Sequence, residues 1–264
     1  MEEYNKEIRN HERRTSKKKK MNKIKRMFFK SIFLLIVLIG AIYFFTTFDA
    51  FNLKDIEIEG NTHYQKQDFE SILNIEYGKN LFKQIHHILK ADKSKLAYVE
   101  KIKISMVSSN IIKLKIVERS SNYVAFNKEN SKYYRINDEG YILEECDVSK
   151  KSEDEVILNG ISFDDNVEIG SKIDYVYLRK IDTYLNIKKE YENTGLKNYG
   201  KITKVKFGNS LTTITINDKL NVVLQEDKNL KYNLSLLQGI IQKLPDDSIG
   251  TIDMTKPNPV YSAY

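Results

Sequence analysis

The chain is 264 residues long and holds a single cysteine, Cys146, which excludes an intrachain disulfide. Its formal net charge is +7, yet residues 1–30 alone carry twelve Lys and Arg against four Glu. Everything after them is close to neutral, so the basic balance belongs to the amino-terminal tail and says nothing about the folded part.

That cluster, Arg13, Arg14 and Lys17–Lys20 among it, could read as a nucleic-acid patch. It abuts an apolar segment, however, and so reads as the positive-inside signal that keeps an amino terminus in the cytoplasm. No nucleic-acid partner is expected. The tail, residues 1–26, has almost no apolar side chains to bury and is expected to be disordered apart from a helical lead-in to the membrane.

Ser31–Phe48, SIFLLIVLIGAIYFFTTF, has no charged side chain. As a helix it reaches roughly 27 Å, close to the thickness of a hydrocarbon core. The span is set at residues 27–48. Phe33, Leu35 and Val37 face lipid, while Lys30 reaches the inner headgroups. Tyr43 and Phe48 bound an aromatic belt at the far end. A cleaved signal peptide is the rival, but Phe48 stands where a cleavage site before Phe51 needs a small residue.

A compact region follows from Phe51 to Arg119. Ile56 and Ile58 alternate with charges as on a half-buried strand, and Gly60-Asn61 ends it. Thr62 is the expected cap of a helix carrying Phe69, Ile72 and Leu73, with Gln65 three residues on. After Tyr77-Gly78, a second helix places Leu81, Ile85, Ile88 and Leu89 at helical spacing. Ile102, Ile104 and Met106, then Ile112, Leu114 and Ile116, read as two strands turning at Ser108-Ser109-Asn110. The order β-α-α-β-β predicts two helices on a three-stranded sheet.

Residues 120–264 are strand-rich. Tyr123–Phe126, Tyr133–Ile136 and Tyr141–Glu145 are short strands, the last two joined across Asn137–Gly140. Cys146–Glu155 is a polar loop, and Val156–Gly160 a short strand. Ile173, Tyr177, Ile181 and Tyr184 stripe a helix of about five turns. Strands follow around Ile202–Phe207, Leu211–Ile216 and Leu220–Leu224. A helix marked by Leu230, Leu234, Leu237 and Ile241 precedes strands at Ile249–Met254 and Val260–Tyr264. The fold class is α+β: a tail, one transmembrane helix, a β-α-α-β-β domain, and a mixed domain with a long antiparallel sheet.

No side-chain grouping supports chemistry. His86 and His87 are adjacent on a helix and face apart, His63 and His11 stand alone, and Cys146 has no nearby His. Glu144-Glu145, Asp154-Glu155 and Asp164-Asp165 read as solvated loop charge. The only Ser-x-x-Lys, Ser16–Lys19, sits in the tail. The chain is read as non-enzymatic, with no cofactor and no metal.

Several segments resemble the FtsQ/DivIB family of bacterial cell-division proteins, single-span proteins with a POTRA domain. Phe51–Asn61 is similar to that family's first strand with Gly60-Asn61, and Gly78-Lys79-Asn80-Leu81-Phe82 to its G-x-N-L-F. Lys113–Arg119 resembles the strand that closes in a Glu118-Arg119 pair. Tyr141 lies in an I-N-D-E-G-Y-I-L hairpin like the family's, and Gly250–Met254 resembles its terminal i-D-l-R. Ala97, Ser109 and Val156 stand in place of the family's Pro, and Thr255 in place of Arg.

The resemblance implies a bitopic divisome scaffold at the septum, with its amino terminus in the cytoplasm and its folded part outside. Implied partners are FtsB/DivIC-like and FtsL-like proteins, the lipid bilayer, and other division or wall-synthesis proteins, peptidoglycan synthases among them. The strand Val260–Tyr264, preceded by Pro257 and Pro259, suits a sheet edge, where a partner strand can add. A covered strand fits the pattern equally, and the resemblance favours the open edge. The expected contact residues are Thr255, Lys256, Asn258, Val260, Tyr261 and Ser262. A membrane-anchored sensor of cell-wall fragments is the alternative.

Overall fold

The computed structural model describes residues 2–163, 167–225 and 229–264, with the side chains of 1–20 and 22–24 outside that description. The expectations for His11, the basic cluster Arg13–Lys20, Ser16–Lys19 and Asp164-Asp165 therefore lie outside the described residues. Within them the chain divides into two compact units. One runs up to Glu57 and adds Asn74–Lys90 and Ile104–Leu114; the other comprises Ile58–Leu73, Ala91–Lys103 and Lys115–Tyr264.

Helix α1 spans Glu2–Thr47, so the backbone of the basic tail continues the helix instead of lying outside it. No Gly or Pro precedes Gly40, and Glu, Lys and Arg are good helix formers. Its stretch Lys25–Thr47 is long and apolar enough to cross a membrane. Thr46 and Thr47 hydroxyls donate back to the carbonyls of Ile42 and Tyr43, one turn earlier, so both hydroxyls are satisfied within the helix.

The next elements follow the expected order: β1 (Asp55–Glu59), α2 (Lys66–Ile72), α3 (Leu81–Lys90), β2 (Val99–Ser108) and β3 (Ile111–Glu118). The three strands form a sheet in the order β1-β3-β2. Alternation holds best on the central strand, where Ile112, Leu114 and Ile116 are buried. Two local expectations are corrected. The cap of α2 is Gln65, whose N–H donates to Asp68 Oδ2 at 2.7 Å. Thr62 cannot fill that role because the helix starts only at Lys66; its N–H is instead held by Glu118. On α3 the buried stripe is Leu81, Gln84 and Ile88, which turns Leu89 outward, 59% exposed.

Nine strands form the long sheet: β4 (Tyr123–Asn127), β5 (Lys132–Ile136), β6 (Ile142–Cys146), β7 (Val156–Asn159), β8 (Ile202–Phe207), β9 (Leu211–Ile216), β10 (Leu220–Gln225), β11 (Gly250–Asp253) and β12 (Val260–Ala263). Helix α4 (Tyr175–Asn193) lies between β7 and β8, and α5 (Leu230–Ile241) between β10 and β11. The spatial order is β12-β11-β10-β9-β8-β7-β4-β5-β6. The sheet is mixed: β4–β7, β7–β8 and β10–β11 pair parallel, and the other junctions are antiparallel. Two of the parallel pairs have a structural cause. A parallel neighbour needs a long crossover, and α4 and α5 supply it. Ile173 precedes α4 instead of starting its stripe; Ile181, Tyr184, Ile187 and Tyr191 are the buried positions.

Both helices bury against one core with the inward residues of the strands, such as Leu158, Val205, Ile214, Val222 and Ile252. Each fully buried side chain of this size contributes about 1.5–3 kcal/mol. Tyr123 and Tyr184 meet edge to face, 5.8 Å apart, at its centre. Glu155, expected in solvent, is 3% exposed. Ser121 Oγ donates to it, and Arg135 Nε reaches it at 2.8 Å, which is how a carboxylate survives at that depth.

Candidate functional site

β12 is the outermost strand of the long sheet, and among the described residues no strand pairs with its outer side. It runs antiparallel to β11, with Ala263 opposite Gly250, Ser262 opposite Thr251, Tyr261 opposite Ile252 and Val260 opposite Asp253. The N–H of Tyr264 donates inward to Ile249 O at 3.2 Å. In an antiparallel ladder the inward and outward groups alternate. Val260 and Ser262 therefore turn their N–H and C=O groups toward β11, and Tyr261 and Ala263 turn theirs outward. On the same alternation Pro259 occupies an outward position, where a missing N–H costs the sheet nothing.

The strand is held down chiefly from its carboxyl side. Tyr264 Oη sits 2.5 Å from Thr251 Oγ1 and accepts from Asn221 Nδ2 at 3.2 Å. Tyr261 Oη donates to Ile249 O at 3.2 Å while its ring packs on the core. β11 comes unusually close, since a Cβ on Gly250 would lie 2.3 Å from Ser262 O. On the approach to the strand, Thr255 closes a turn, its N–H and hydroxyl both donating to Asp253 Oδ1. Those bonds hold the Asp253 carboxyl below the usual range. Lys256 Nζ lies 3.6 Å from Asp253 Oδ2, and Asn258 is exposed. Of the residues singled out in the sequence, Val260, Tyr261 and Ser262 thus lie on the edge strand, and Thr255, Lys256 and Asn258 precede it. The sequence placed Ala263, Tyr264 and Gly250 in strands but did not single them out as site residues, because their roles depend on which strand lies alongside.

The residues of the first domain's motifs have structural duties. Gly60, at φ +85°, lies where a Cβ would be 2.5 Å from Ile116 O, and Asn61 Nδ2 donates to Tyr64 O. Gly78 N–H donates to Leu53 O at 2.8 Å. Asn80 caps α3, its Oδ1 accepting from Phe82 and Lys83 N–H, while its Nδ2 donates to Phe45 O at 2.8 Å. Glu118 accepts from the N–H groups of Thr62 and His63 and lies 2.7 Å from His63 Nδ1. Partial burial pushes its carboxyl up, but these bonds outweigh it and hold the group below its ordinary range. Arg119 Nη1 donates to the carbonyls of Ala97 and Val99, and its guanidinium stacks 3.9 Å over Tyr141.

Along α1, Lys30, Phe33, Leu35, Val37 and Tyr43 are all exposed. Phe48 lies one residue past the helix end and stacks on Phe44 at 4.9 Å. That long, bare apolar helix is consistent with a single-pass membrane protein. Among the described residues no three His, Cys, Asp or Glu side chains gather as a metal site.

Comparison with known proteins matches residues 51–119 to the POTRA domain, FtsQ-type. Two cell division proteins DivIB of Clostridium botulinum, from the Hall and Loch Maree strains, are each 27% identical to the chain over 156 residues. The aligned stretch covers 59% of this chain and 58% of each relative. The motif geometry accords with these likenesses: residues 51–119 are similar to the FtsQ-type POTRA domain, and the aligned stretch is similar to the DivIB cell division proteins.

Proposed function

We propose that the protein is a non-enzymatic, bitopic scaffold of the bacterial divisome, enriched at the septum. In this reading residues 1–26 are cytoplasmic and 27–48 cross the membrane. Residues 51–119, the POTRA domain, and 120–264, the β domain, then lie outside. It recruits FtsB/DivIC-like and FtsL-like partners and links them to septal wall synthesis. Recognition runs through the outer edge of β12, with Thr255, Lys256, Asn258, Val260, Tyr261 and Ser262 as the surrounding contacts. The observation that carries the reading is the outward alternation of Tyr261 and Ala263, which offers a partner strand two N–H and two C=O groups.

The test is capture of a DivIC-like partner by the full-length protein in detergent-solubilised membranes. Ala263→Pro removes one outward donor and leaves the ladder to β11 intact. Capture is expected to be lost with the melting temperature unchanged. Undiminished capture by this variant removes the edge as the binding site.

A further inference from the structure

α3 leaves a second amphipathic face uncovered beside the membrane-spanning helix. Its buried stripe is Leu81, Gln84 and Ile88. Opposite that stripe, Phe82, His86 and Leu89 recur at helical spacing and are exposed, with Lys83 and Lys90 alongside. The segment Asn74–Lys90 holds three Lys and one Glu, so this face is basic as well as apolar.

The face is joined to the outer end of α1. Phe82 lies 6.0 Å from the ring of Phe45 and 5.7 Å from that of Phe51. Asn80, which caps α3, donates to the carbonyl of Phe45 in the last turn of α1. The first turn of α3 is therefore tied to the point where the apolar span ends. A short helix with exposed aromatic and aliphatic side chains and flanking lysines matches the chemistry of a headgroup layer.

We propose that this face of α3 rests on the outer leaflet and binds anionic lipid headgroups, a membrane contact additional to the span. Phe82 and Leu89 enter the acyl boundary, and Lys83 and Lys90 take the phosphates, their stems running along the surface. The inference rests on the reading that α1 crosses the bilayer, and not on strand addition at β12.

The test is spin labelling of the full chain reconstituted in phosphatidylcholine vesicles containing phosphatidylglycerol, on a Cys146→Ser background. Labels are placed through His86→Cys on α3, Val37→Cys in the span and Tyr232→Cys on α5, and their access to a water-soluble nickel chelate is compared with access to oxygen. Nickel access at 86 is expected to fall several-fold below that at 232. Lys83→Glu with Lys90→Glu should restore it, since each basic residue near an anionic surface is worth roughly a fivefold change in binding. A label at 86 as open to water as that at 232, while 37 reads lipid, overturns the proposal. Shielding that survives both reversals overturns anionic lipid as the ligand. If 37 also reads water, the span itself has failed and this contact falls with it.

Discussion

Asn80 Nδ2 donates to the carbonyl of Phe45 at 2.8 Å, so one side chain caps α3 and also satisfies a carbonyl in the last turn of α1. A helix end leaves several carbonyls without intrahelical partners. Here one of them is met by the Asn of the Gly-x-Asn-Leu-Phe motif, which explains what that motif does.

Replacing Asn80 with Ala should cost about 1–2 kcal/mol through loss of the cap and the carbonyl partner. Asn80→Asp keeps an acceptor for the N–H groups of Phe82 and Lys83 and loses only the donor to Phe45. Hydrogen exchange separates the two: amide protection at 82 and 83 should survive in Asn80→Asp and fall in Asn80→Ala. Unchanged protection in Asn80→Ala would contradict the capping role.

The alternation along β12 makes neighbouring positions unequal. Ser262→Pro deletes an inward donor to β11, and a stability loss of roughly 1–3 kcal/mol is expected. Ala263→Pro deletes an outward one and should stay within about 0.5 kcal/mol. Thermal unfolding of the two variants, measured side by side, checks the assignment. A larger loss in Ala263→Pro than in Ser262→Pro would mean the strand faces the other way.

Gly250 lets β12 approach. An added Cβ would meet Ser262 O at 2.3 Å and Tyr261 Cε2 at 2.9 Å, both parts of the strand itself. Gly250→Ala should therefore lift β12 from β11, at a cost of about 1–3 kcal/mol. Faster amide exchange at Ser262 and Tyr264 is the readout, together with loss of partner capture although no outward group has been changed.

Acid should weaken the fold through two carboxylates. Burial pushes Glu155 up, but Ser121, the Ser152 N–H and Arg135 more than reverse it, and Glu118 is lowered as described. A group with a depressed folded pKa adds stability that is present above its unfolded value, about 4.3 for Glu, and lost as pH falls through the folded value. The melting temperature should hold through neutral pH and decline below about pH 4.3. Glu118→Gln and Glu155→Gln should each flatten that decline, and an unaltered acid limb in both would refute the assignment.

Burial pushes the Cys146 thiol up to about 11, with Arg135 opposing. At pH 7 the thiolate fraction then falls roughly 100-fold below that of an ordinary cysteine. Alkylation by iodoacetamide should be slowed by a comparable factor in the folded protein and recover in urea. Fast labelling of the native protein would show the thiol to be exposed.

The amino-acid order by itself determined the elements. The uncharged run ending at Phe48, the alternation of Ile112, Leu114 and Ile116, the spacing of Leu81 and Ile88, and the turns at Ser109-Asn110 and Asn137–Gly140 are local patterns. They report which side of a segment avoids water, and the order β-α-α-β-β follows from reading them in sequence. Partnership was decided only by the tertiary structure. Thr62 looked like a cap, but the helix starts at Lys66 and Glu118, distant in sequence, holds the Thr62 N–H; Glu155 looked solvated until Arg135 and Ser121 closed over it. The parallel pairing of β4, β7 and β8, the contact of Asn80 with Phe45 and the outward turn of Ala263 were likewise hidden. Periodicity records the burial of a face, whereas hydrogen-bond direction and register depend on the neighbour that long-range packing supplies.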